Sequence, residues 1–176
     1  MTTEPVHCNY TAPILVLALG DVRMGDDGVG PAILADLAER YRYAGGFIEF
    51  VDGGTQGLEL LHRIAGRQAL VVLDAMTAGH RPGTVSVLEG SDVLRYAAAD
   101  SSTGAGEGNA GEVLATAAFL GDLPYCCYVV GVEPEGGGRA RAGLSKAVQR
   151  SLHEALARAQ NVVDRLLVEL SEPVNA

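Results

Sequence analysis

Two runs of the chain, "ILVLAL" at residues 14–19 and "ALVVL" at 69–73, are apolar at every position. A strand with one wet face alternates in polarity. An unbroken run of five or six apolar residues suits a strand covered on both faces. Such strands need helices on either side of their sheet, and the rest of the chain offers them. Pro31 to Tyr41 places Ile33, Leu34 and Leu37 at helical spacing and leaves Asp36, Glu39 and Arg40 polar. A second helix is predicted from Gln56 to Ile64, carrying Leu58, Leu60, Leu61 and Ile64, and a third from Glu112 to Leu120. The segment from Leu144 to Leu170 is amphipathic, with Leu144, Val148, Leu152, Leu156, Val163 and Leu167 as its apolar stripe. Further strands are predicted at Phe47–Val51, at Thr84–Leu88 behind a proline-glycine turn, and at "CYVVGV". Strands alternating with helices predict an α/β three-layer sandwich, a mostly parallel sheet with helices on both faces. No repeat or linker divides the chain. Residues 13–172 are expected as a single domain and residues 1–12 as a polar lead-in that need not be ordered.

The composition narrows function by exclusion. The chain of 176 residues is 48% hydrophobic and carries a net charge of −9. That balance argues against nucleic acid, since a polyanion is bound through a basic surface that releases its counterions. No apolar stretch approaches the roughly 20 residues of a membrane span. The amino terminus "MTTEPVHCNYTAP" lacks both the basic and the apolar region of a signal peptide, so a cytoplasmic location is expected. Cys8, Cys126 and Cys127 are odd in number and form neither a disulfide framework nor a C-x-x-C metal motif.

The acidic residues fall where an open α/β sheet binds ligands, beyond the carboxyl ends of its strands. Asp26 and Asp27 follow the first strand in "GDVRMGDDGVGP", Asp52 closes the second, and Asp74 ends the third. In a parallel sheet these positions share one rim. Carboxylates gathered there repel one another unless a cation or a proton sits between them. Asp27 also suits the N-cap of the following helix, and Asp52 before two glycines suits an ordinary turn. Asp74, directly after "ALVVL", lies close to the core, where an unpaired charge is rare.

Competing chemistries fit the letters poorly. A Walker A loop needs lysine where this glycine-rich turn has Asp26 and Asp27, and two carboxylates would repel a phosphate. The order of Gly25, Gly28 and Gly30 does not give G-x-G-x-x-G. No serine lies in a nucleophile elbow, and Cys126 and Cys127 open a buried strand, where cysteine usually packs. Of the histidines, only His80 lies near the predicted rim.

Taken in order, "LALGDVRMGDDGVGPAI", "VDGGTQGLELL", "VVLDAM" followed by "PGTV", and "VGVEPE" with a later "GLS" resemble the hydrogenase maturation endopeptidases. Those enzymes remove a C-terminal peptide from the large subunit of nickel–iron hydrogenases. The resemblance implies a five-stranded twisted sheet between helices. It also implies a metal-contacting set formed by an acid after the first strand, an Asp after the third, and a His opening a later helix. By position these fall on Asp27 and Asp74, with Asp52 matching a further acid of functional importance; Asp52, Asp27 and Asp74 are thus the implied catalytic candidates. The histidine has no counterpart, since the loop before "GEVLATAAFLG" reads "SSTGAGEGNAGE". Glu107 lies within a residue of that place as a substitute oxygen ligand, and His80 is an alternative from another direction. The implied metal is nickel, carried by the substrate rather than permanently bound, and the implied partner is the hydrogenase large-subunit precursor. A non-catalytic chaperone that binds metal or precursor on the same fold is the alternative. The polar Asp100–Gly108 stretch is expected to be a flap over the rim.

Overall fold

A computed structural model describes residues 11–102, 109–136 and 142–171. Strands β1 (Ile14–Leu19), β2 (Ile48–Gly54), β3 (Ala69–Ala75), β4 (Val85–Glu89) and β5 (Cys126–Val132) form one sheet in the order β2-β1-β3-β5-β4. All pairs are parallel except β4 with β5, so β4 is an antiparallel edge. Helices α1 (Val29–Arg40), α2 (Leu61–Ile64), α3 (Ser91–Ser102), α4 (Ala110–Leu120) and α5 (Lys146–Ser171) complete the α/β sandwich.

The two continuous runs explain the layering. Successive side chains of a strand point to opposite faces. Ile14, Val16 and Ala18 of β1 join Val71 and Leu73 of β3 in a core against α1 and α5, with Ile33, Leu37, Val148 and Val163. Leu15, Leu17 and Leu19 join Leu70 and Val72 in the opposite core, with Leu60, Ile64, Val93, Val113 and Leu114. Every residue of β1 is buried. Alternation along β3 therefore assigns Asp74 to the face on which Leu70 and Val72 meet α3 and α4.

Local geometry departs from the sequence expectation at three elements. The predicted helix at 56–64 is a 3₁₀ turn over Gly57–Leu60 followed by the single turn of α2. Strand β2 runs through Asp52 to Gly54, because Asp52 pairs with Ala18 and a register shift follows at Leu19. Helix α3 was not anticipated, and it absorbs the start of the expected flap: Asp100 lies within the helix. Residues 103–108, the rest of that stretch, lie outside the described residues.

Far from the rim, the nearly buried Arg67 ties the sheet to its flanks. Its guanidinium donates to the carbonyl oxygens of Ala12 (2.7 Å) and Arg63 (2.9 Å) and pairs with Glu49 of β2. Arg67→Ala leaves two carbonyls without these donors, and we expect it to cost about 2 kcal/mol. A shifted urea midpoint at unchanged m-value checks this.

Candidate active site at the carboxyl rim

The loop after β1 carries three carboxylates with three different fates. Asp21 is held by Arg23 at 2.7 Å, and this pairing keeps its carboxyl down at about 2. Asp26 reaches across the rim and accepts from the amides of Glu135 (2.8 Å) and Ser145 (2.5 Å), the two ends of the glycine-rich segment after β5. Asp27 accepts from the Asp21 amide through Oδ2 at 2.6 Å. It does not cap α1: Gly28 occupies that position and offers no side chain.

Glycines set how closely this loop approaches the sheet. Gly20 has φ +111°, and a Cβ there would lie 1.9 Å from the Asp27 carbonyl oxygen. A Cβ on Gly30 would lie 2.4 Å from the Leu73 carbonyl oxygen and 2.5 Å from that of Leu19. The first turn of α1 therefore sits directly on the carboxyl ends of β1 and β3. Pro31, in the same turn, lacks only an amide that has no partner within the helix.

Asp74 is buried at the end of β3, with 6% of its surface exposed. Its Oδ1 accepts from the Ala75 amide at 2.8 Å, and the backbone of Ala110 at the start of α4 also favours its charged form. Burial is the main cause that pushes its carboxyl up to about 8, and the negative charges of Asp27 and Asp100 add to it. The described charges that act on Asp74 are thus carboxylates, which favour its protonated form. Tyr96 of α3 feels the same environment: burial first, then Asp74 and Asp100, raise its phenol pKa.

The rim therefore brings Asp27 and Asp74 together, and adds Asp100. Asp52 is exposed and turns its Oδ1 to the Gly54 amide at 3.1 Å, in the turn geometry its sequence allows. His80 is exposed in the loop after β3. Glu107 lies outside the described residues. Among the described residues, no group of three or more His, Cys, Asp or Glu side chains is arranged to hold a metal ion. Cys127 is buried among apolar side chains, and burial pushes its thiol up to about 12, far from a reactive thiolate.

Two further carboxylates were not singled out in the sequence. Glu133, in "VGVEPE", is buried and accepts from the amides of Ala78 (2.8 Å) and Gly79 (3.3 Å), so it fixes the loop that follows Asp74. Its position directly after an apolar strand was the available signal. Asp100 was hidden because the helix that carries it was not anticipated.

The fold and this rim define an α/β protein with an acidic site at the carboxyl ends of parallel strands, and the comparisons narrow it further. Residues 31–162 match the family model described as hydrogenase maturation protease. The hydrogenase expression/formation protein HoxM of Azotobacter vinelandii is 35% identical over 151 residues, covering 83% of this chain and 72% of its own. The hydrogenase 2 maturation protease of Escherichia coli K12 is 32% identical over 144 residues, covering 81% and 85%. The solved hydrogenase maturating endopeptidase HybD of E. coli superposes with a TM-score of 0.69 at 28% identity, over 90% of this chain and 93% of that one. The chain belongs to the hydrogenase maturation protease family. No described helix is long and apolar enough to cross a membrane.

Proposed function

We propose that this protein is an endopeptidase that removes the C-terminal extension of a nickel–iron hydrogenase large-subunit precursor after nickel insertion. It reads the bound nickel through Asp27 and Asp74. One observation carries the reading: a buried carboxyl stands beside two other carboxylates, and its charge is disfavoured until a cation arrives. A precursor presenting nickel on its own cysteines brings that cation, so the protein needs to add only oxygen donors. Coordination by Asp27 and Asp74 then docks the scissile bond at the rim, and Glu107 is the candidate for a third donor. Asp52 is assigned the general-base role: it takes a proton from the attacking water and passes it to the departing amine as the C–N bond breaks. A precursor without nickel gains no such contact and is left intact.

The absence of histidine from "SSTGAGEGNAGE" favours one other reading, a chaperone that binds the precursor without cutting it. Mass analysis of a nickel-loaded large subunit incubated with this protein separates the two. Loss of a C-terminal peptide, abolished by Asp27→Asn and by Asp74→Asn, is the result we expect. An intact precursor in a stable complex would establish the chaperone instead.

A further inference from the structure

Asp26 is half-buried in the 3₁₀ turn Gly25–Gly28, directly before Asp27. Its backbone and its side chain serve different elements. The Asp26 carbonyl oxygen accepts from the amide of Val29, the first residue of α1. Its carboxylate goes elsewhere: Oδ2 accepts from the Glu135 amide at 2.8 Å and Oδ1 from the Ser145 amide at 2.5 Å. Glu135 lies just beyond β5, and Ser145 just before α5. Ser145 is buried and gives its other groups to α5. Its Oγ accepts from the Val148 amide at 3.3 Å and its carbonyl oxygen from the Gln149 amide at 2.8 Å. The Ser145 amide has no place in the helix ladder, and Asp26 takes it. A carboxylate there also meets the positive end of the helix dipole.

The turn passes this anchorage on to Asp27. Asp27 Oδ2 accepts from the Asp21 amide at 2.6 Å, and a Cβ on Gly28 would lie 2.8 Å from the Val22 Cα. Asp21 and Val22 are therefore laid directly against the turn. A shift of Asp26 moves the peptide it shares with Asp27, and the bond between Asp27 and the Asp21 amide shifts with it. In the sheet β3 stands between β1 and β5, so the Asp26 carboxylate joins two rim connections that are not sheet neighbours.

We propose that Asp26 is a positioning residue for the processing reaction: by binding the amides of Glu135 and Ser145 it locks the turn that carries Asp27, and so sets where the Asp27 carboxylate meets the substrate's nickel. This rests on the processing reading given above, but the coupling it describes exists in the free protein and is tested there first.

The test uses the full chain as Asp26→Ala, with Ser145→Ala as the comparison. Ser145→Ala removes the hydroxyl that accepts from α5 but keeps the amide that Asp26 binds, so it loosens the helix end without releasing the turn. Amide exchange is read at Asp21, whose bond reports the Asp27 carboxylate, with Val71 of β3 as control. Binding of nickel-loaded and nickel-free large-subunit precursor is measured on the same proteins. In Asp26→Ala, exchange at Asp21 should rise about tenfold with Val71 unchanged, the scale of one lost hydrogen bond. Affinity for the loaded precursor should fall about tenfold, and affinity for the nickel-free form should stay as it is. Ser145→Ala should keep wild-type exchange at Asp21 and wild-type affinities. A fully protected Asp21 amide in Asp26→Ala overturns the proposal. So does an equal rise in Ser145→Ala, or an equal loss of affinity for both precursor forms, since either marks general loosening. Should the alanine variant fail to fold, Asp26→Asn replaces it: one acceptor oxygen remains, and one of the Glu135 and Ser145 amides should open. An Asp21 amide as protected as in wild type would then overturn the proposal. A wild-type protein that binds both precursor forms equally, while Asp26→Ala still frees Asp21, overturns the nickel reading and leaves the coupling standing.

Discussion

Asp74→Asn is expected to abolish processing and yet to make the free protein more stable than wild type at pH 8. The loss of activity follows from removing a charge that meets the substrate's cation. Truncating outer partners of metal ligands commonly costs 10–100-fold, so a direct contact should cost at least ~100-fold. The gain in stability follows from proton linkage. Folded Asp74 holds its proton up to about pH 8, whereas the unfolded chain releases it near 3.8, the ordinary value of an aspartate. Between those values the folded state binds more protons than the unfolded state, so the unfolding free energy falls as pH rises. The contribution of Asp74 is fully present below about pH 4 and is lost by about pH 8. Asparagine does not titrate and escapes that loss. One pH unit corresponds to about 1.4 kcal/mol. Asparagine keeps one acceptor oxygen, as for the Ala75 amide, and carries an amide group in place of the other, which costs about 1–3 kcal/mol at every pH and leaves a net gain at pH 8. Urea titrations of both proteins at pH 4.5 and pH 8 check this. Relative to wild type the variant should gain stability steadily from the lower pH to the higher one, and at pH 8 it should be the more stable of the two.

Gly20→Ala should be the most damaging single methyl group that the rim can receive. Position 20 requires φ +111°, a region that L side chains rarely adopt. The added carbon would also fall 1.9 Å from the Asp27 carbonyl oxygen, a backbone atom that cannot swing away as a side-chain tip can. Either β1 retreats or the Asp27 turn lifts off the sheet. Strained backbone and overpacking each cost about 1–3 kcal/mol, so a combined loss of about 3 kcal/mol is expected. In a chain of this size that lowers the thermal midpoint by roughly 6–12 °C. Whatever protein remains folded should cleave poorly, because Asp27 no longer faces Asp74. Gly45→Ala is the control: its Cβ meets nothing within 4 Å, and neither stability nor cleavage should change.

Much of the architecture was written in short-range patterns. The unbroken runs of β1 and β3 named strands covered on both faces, and the stripe from Leu144 onward named α5. Parallel neighbours then put Asp27 and Asp74 on one rim without any knowledge of contacts. What escaped depended on partners distant in sequence. Asp21, Asp26 and Asp27 look alike as letters, yet Asp26 is committed to amides 109 and 119 residues away. Helix α3 escaped because "SDVLRYAAADSS" holds few large apolar residues, with Val93 and Ala97 buried but Leu94 half exposed. Without that helix, Asp100 seemed part of a loop, and its hydrogen bond to the Gly111 amide could not be foreseen. Strand β2 ran on through Asp52 because pairing with Ala18 outweighed the turn preference of Asp-Gly-Gly.

The pairing of Asp27 with Asp74 as the reader of nickel is tested most directly by presenting nickel-loaded and nickel-free forms of one large-subunit precursor side by side. Wild-type protein should release the C-terminal peptide from the loaded form only, and Asp27→Asn and Asp74→Asn should release it from neither. Equal cleavage of both forms by the wild type, or nickel-dependent cleavage that survives both substitutions, would contradict the account.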